Sequence, residues 1–142
     1  VTADVPVVAA AMGGHRRGAG GEFAWAPSTV GTDGLAGAVL PTREGLTSTL
    51  ALVGGATPAQ VELTVVDGAT SRTRVLPIPA GATVAVPLAG AGSVWVRPLD
   101  DEPTVHAAVR LTLGAGADRL EAVLPLSPTV LTSALGQPTA VQ

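Results

Sequence analysis

The stretch TVHAAVRLTL, residues 104–113, decides the fold. In an extended chain Val105, Ala107, Val109, Leu111 and Leu113 point one way, and His106, Ala108, Arg110 and Thr112 point the other. At 3.6 residues per turn the same apolar positions would be spread around a helix. The spacing therefore predicts a strand with one buried face. The pattern recurs in AQVELTVVD (59–67), where Val61, Leu63 and Val65 alternate with Gln60, Glu62 and Thr64. It recurs in ATVAVPL (82–88) through Val84, Val86 and Leu88, and in TSTLALV (47–53) through Leu50 and Leu52. SVWVRP (93–98) puts Val94 and Val96 on one face, with Ser93, Trp95 and Arg97 on the other. RLEAVLPL (119–126) aligns Leu120, Ala122, Leu124 and Leu126.

Turn residues separate these runs: Gly54-Gly55, Asp67-Gly68, Pro79-Ala80-Gly81, Gly90-Ala91-Gly92, and Gly114 to Asp118. Eighteen glycines and twelve prolines suit many short strands joined by tight turns. The expected fold is all-β: an immunoglobulin-like antiparallel β-sandwich with an extra N-terminal hairpin. Residues 1–30 are expected to form the hairpin and 31–45 a connector with at most one short strand near Ala38-Val39-Leu40. Residues 46–130 would form the sandwich, and 131–142 a loosely held tail.

The hairpin assignment comes from an internal echo. Pro6, Val8, Ala10 and Ala11 repeat as Pro103, Val105, Ala107 and Ala108 at one constant offset. Each copy runs through a glycine-rich segment into a second strand ending at Pro27 or Pro125. Each reads as the closing hairpin of a sandwich repeat. The first copy would close a repeat whose leading strands lie outside this chain, so the expectation is a piece of a longer precursor. That first hairpin should pack on the following repeat, at the sheet or edge that carries Trp95, or against strands of another chain.

Composition narrows the function classes. The chain has 142 residues, enough to bury a core without staples, and it has no cysteine. Disulfides and cysteine-based zinc sites are excluded. The net charge is −3, and every one of the eight basic residues is arginine. The basic excess of a nucleic-acid binder is missing. No apolar run approaches the roughly 20 residues of a membrane-spanning helix, so this segment is not expected to insert in a membrane.

The phrases TLALVGGATPAQVELTVVDG, PIPAGATVAVPL, VWV and DEPTVHAAV, in that order, resemble the repeat of a family of secreted, envelope-associated actinobacterial proteins of unknown function. In that family an Asn-Pro-Gly turn follows the leucine-rich strand; here Gly54-Gly55 stands in its place. The resemblance implies a location outside the membrane, in the extracellular space or the cell envelope. It carries over no catalytic residue.

Several polar features invite chemistry. GGHRRGAGG (13–21) places His15, Arg16 and Arg17 in a glycine-rich loop, where guanidinium groups could grip carboxylate or phosphate. The plainer reading is a soluble hairpin tip. Asp100, Asp101 and Glu102 could collect calcium, although their spacing is not that of a calcium loop, and a turn of solvated acids is the plainer reading. Trp95 should sit on the outer sheet face beside Arg97, open to a sugar or a protein partner unless the hairpin or the connector covers it. Phe23 and Trp25 share a face and are expected to fill core. His106 should point outward, and without cysteine or a histidine neighbour zinc chemistry is not expected.

No G-x-S-x-G elbow and no phosphate loop are present. The expected function is a non-catalytic scaffold or protein-interaction module of an exported protein, needing no cofactor. Its interaction surface would involve Trp95, Arg97, His15, Arg16 and Arg17. Its partner would be another envelope protein or the remainder of the precursor. A carbohydrate-binding module for envelope glycan is the alternative, weakened by the scarcity of aromatic residues.

Overall fold

A computed structural model describes residues 10–17, 20–27, 29, 31–100, 105–116 and 119–129. The segment holding Pro6 and Val8, the acids Asp101 and Glu102, and the tail 131–142 lie outside the described residues. The described residues form eleven strands, all paired antiparallel, and no α-helix.

β1 (Ala10–Arg17) and β2 (Gly20–Pro27) form a separate two-stranded hairpin, with Met12 opposite Trp25 and Gly14 opposite Phe23. The side chains of both strands, including Phe23 and Trp25, are outside the described residues. The other nine strands make two sheets. Their elements are β3 (Ala36–Val39), β4 (Leu46–Gly54), β5 (Ala59–Asp67), β6 (Thr70–Ile78), β7 (Thr83–Pro87), β8 (Ser93–Pro98), β9 (Val105–Leu113), β10 (Leu120–Pro125) and β11 (Ser127–Pro128). One sheet has the order β10-β9-β4-β7, the other β11-β3-β8-β5-β6.

The alternation sets which face is buried. Across β4 and β9, Leu50 lies opposite Val109 and Leu52 opposite Ala107. Across β5 and β8, Leu63 lies opposite Val96 and Val65 opposite Val94. Leu50, Leu52, Leu63, Val94, Val96, Val105 and Val109 are all fully buried, so the core fills the space between the sheets. Burying such a side chain contributes on the order of 1.5–3 kcal/mol. This core has no aromatic member among the described residues.

The two long sides of the sandwich differ. On one, the chain passes from β10 at the edge of the first sheet to β11 at the edge of the second, and buried Leu126 makes the crossing. Thr32 bridges to Val105 on that side. On the other, β6 and β7 are the terminal strands of their sheets, joined by the Pro79–Ala82 turn. There Gly81 N–H donates to the Gly55 carbonyl at 2.8 Å and Gly54 N–H to Ala82 at 2.9 Å.

Three local features bear on the sequence-based expectation: one departs from it, one meets it with a small shift, and one was not marked by it. His15, Arg16 and Arg17 belong to β1, opposite Glu22, Gly21 and Gly20, and not to a loop. The glycines around them permit extended backbone as readily as a turn. The short strand expected near Ala38-Val39-Leu40 runs from Ala36 to Val39. The segment TSRTRVLPI, with no clear apolar alternation in its first half, is the nine-residue strand β6. The turn before it places Gly68 at φ 55 while Ala69 keeps negative φ, as a two-residue type II′ hairpin turn requires.

The hairpin β1–β2 does not stand alone. β2 runs beside β10, the outer strand of the four-stranded sheet, without joining its hydrogen-bond ladder. The hairpin therefore packs on the following sandwich, but not at the expected place, the sheet that carries Trp95. The two hairpins that carry the sequence echo thus meet through corresponding second strands, which end at Pro27 and Pro125.

Candidate functional site

The outer face of the five-stranded sheet carries Trp95 and Arg97 together. β8 buries Val94 and Val96, so period-two alternation sends Ser93, Trp95 and Arg97 outward. The Trp95 indole is half-buried because it lies across the neighbouring strand. Gly37 of β3 is its direct cross-strand partner, and the benzo ring of the indole occupies the space a side chain at 37 would need. Trp95 Nε1 donates to Ser93 Oγ at 3.1 Å, which fixes the ring along its own strand. The cover on one ring face is therefore β3 backbone, from the stretch expected to be a connector.

Around the indole the face is mixed. Arg97 Nη2 meets Glu62 Oε1 at 3.0 Å across the β5–β8 pair. Thr64 Oγ1 and Thr73 Oγ1 share a hydrogen bond at 2.9 Å. Val39 on β3 is 76% exposed and Val75 on β6 is 51% exposed, both on this face. The face thus combines a half-buried indole, two exposed valines and a polar surround.

The other residues expected at the interaction surface are elsewhere. His15, Arg16 and Arg17 lie in the hairpin beside β10, which belongs to the opposite sheet. His106 points outward from β9, half-buried, and its Nδ1 donates to the Thr29 carbonyl at 2.7 Å. It holds the segment after the hairpin against the sheet. Asp100 Oδ2 accepts the Gln60 N–H at 2.7 Å, so this carboxylate serves the backbone of β5. Among the described residues no group of His, Asp and Glu side chains could hold a metal ion.

One charged feature is not marked by the sequence periodicity. Arg72 and Arg74 of β6 lie opposite Val65 and Leu63 of β5, so their side chains are on the core-facing side of the sheet. The signal was present: a long alternating strand, then Asp-Gly, implies that the next residues return as its hairpin partner.

Two antiparallel sheets packed around an aliphatic core, with a hairpin against one outer strand, define a β-sandwich module with solvent-facing sheet surfaces. The family described as "Family of unknown function (DUF5719)" matches residues 1–89, the hairpin and the sandwich as far as the end of β7, and the chain belongs to it. No curated protein and no solved structure matches the chain.

Proposed function

We propose that the chain is a non-catalytic scaffold or protein-interaction module of an exported, envelope-associated protein, and that it contacts its partner through the Trp95 face. The observation that carries this reading is the half-buried indole laid over Gly37, beside exposed Val39. Large aromatic side chains seated in this way are the usual centres of binding energy at protein interfaces. What supports an exported location is the resemblance of the repeat phrases to those of secreted, envelope-associated proteins. The partner is another envelope protein or a further part of the same precursor.

Crosslinking in intact cells tests this, with a photoreactive residue at Val39 of the full-length protein. A discrete heavier species, weakened by Trp95→Ala, is the expected result. Recovery of the uncrosslinked protein alone would overturn the reading. A carbohydrate-binding module is the second reading, resting on the same ring. Titration of envelope polysaccharide would then show binding that Trp95→Ala removes.

A further inference from the structure

The side of the sandwich bounded by β6 and β7 is a wedge. The two strands meet at the Pro79–Ala82 turn and part toward the start of β6 and the end of β7. At the open end lies a groove of about 350 Å³, with Leu63, Val65, Val86 and Leu88 along its apolar floor and Arg72 and Arg74 at its lip. Along the core-facing side of β6 the residues change in order: Ile78 is buried, Leu76 half-buried, and Arg74 and Arg72 exposed. Neither arginine forms an ion pair among the described residues, whereas Arg97 and Arg119 each have a carboxylate partner. Among the described residues both strands that bound the groove are terminal in their sheets, and each has one row of backbone donors and acceptors without a described strand neighbour.

We propose that this groove receives an extended polypeptide segment with acidic residues at two alternate positions, added as a further strand on the edge of β6. Cross-strand neighbours share a sheet face, so carboxylates two residues apart would stand opposite Arg72 and Arg74. An apolar side chain two residues further would stand opposite Leu76 and complete the apolar floor. Pro77 lacks an N–H and limits the ladder to the first part of β6. Strand addition supplies affinity through the main chain, and the paired charges select the sequence. This inference rests on the reading that the module binds polypeptide, but it places contact on a different surface from the Trp95 face.

The test uses the full chain and a short labelled peptide with Glu at two alternate positions and Leu at the next alternate position. Fluorescence anisotropy should show saturable binding, weakened about tenfold when both Glu become Gln. Arg72→Glu/Arg74→Glu should lose this peptide and gain a counterpart carrying Lys at both positions, which separates loss of charge pairing from loss of fold. Trp95→Ala should bind as the unchanged protein does, so failure of the Trp95 reading leaves this result standing. Equal binding of the Glu and Gln peptides would overturn the proposal. So would short-chain polyphosphate binding as tightly as the peptide, which would make the groove a plain anion site. Absence of peptide binding, with dimerisation of an Arg72→Ser/Arg74→Ser variant, would overturn it too and make the arginines guards against edge-to-edge pairing.

Discussion

The benzo ring of Trp95 fills the side-chain space of Gly37. A Cβ placed at Gly37 would overlap Trp95 Cε3 and stand 2.7 Å from Cζ3. The two residues are direct partners in the β3–β8 ladder, so the strand supplies an aromatic side chain where its neighbour supplies none. An aromatic laid over a cross-strand glycine covers otherwise exposed backbone.

That relationship gives the first prediction. Gly37→Ala should destabilise the protein by about 1–3 kcal/mol, the usual cost of overpacking. The penalty should disappear in a Trp95→Ala background, because the clash partner is gone. Urea denaturation of the four proteins measures it, and equal penalties in both backgrounds would refute the pairing. In a Trp25→Phe background, Gly37→Ala should also shift the Trp95 emission to longer wavelength as the ring is pushed toward solvent.

The same pair shows what the sequence could and could not carry. Alternation around Val94 and Val96 places Trp95 outward, and the structure has it there. Nothing in the sequence announces Gly37 as its partner, because β3 is made of small residues with no period. Likewise β5, β7 and β9 are legible through their valines and leucines. β6 is not, because its core-facing positions 72 and 74 are arginines at a splayed edge where the opposite sheet no longer covers them. Periodicity reports burial, so it fades where a strand leaves the core. The groove falls where that signal is lost, and only the Asp67-Gly68 turn pointed to the strand.

A second prediction concerns the turn between β6 and β7. Gly54 ends β4, and a Cβ there would stand 2.6 Å from the Pro79 carbonyl oxygen and 3.1 Å from Ile78 Cγ2. The oxygen belongs to backbone and cannot rotate away. Gly54→Ala should therefore cost about 1–3 kcal/mol. Gly34→Ala, with nothing within 4 Å of its new Cβ, should change stability by less than about 0.5 kcal/mol. Thermal unfolding of the two variants checks the contrast.

The Arg97–Glu62 pair should matter little to stability. Its side chains are 54% and 32% exposed, and water and salt screen the attraction. Glu62→Gln is expected to cost less than about 0.5 kcal/mol, and nothing measurable at high salt. Chemical denaturation at two ionic strengths measures this. A loss of several kcal/mol that persists in salt would mean that the pair organises the sheet face rather than decorating it.

His106 supports the last prediction. Its Nδ1–H reaches the Thr29 carbonyl at 2.7 Å, joining β9 to the segment that follows the hairpin. A hydrogen bond of this kind contributes about 1 kcal/mol, and its loss leaves a partly buried carbonyl without a donor. His106→Ala should lower stability by about that amount and speed amide exchange at residues 31 and 32, just past the anchor. His106→Asn should restore most of both, because its amide nitrogen can occupy the position of Nδ1 and donate to the same carbonyl. Hydrogen-exchange mass spectrometry separates the outcomes. If Asn fails where Ala fails, the imidazole acts through its packing and not through the donated hydrogen. If Ala is neutral, the contact does not hold the hairpin segment to the sheet.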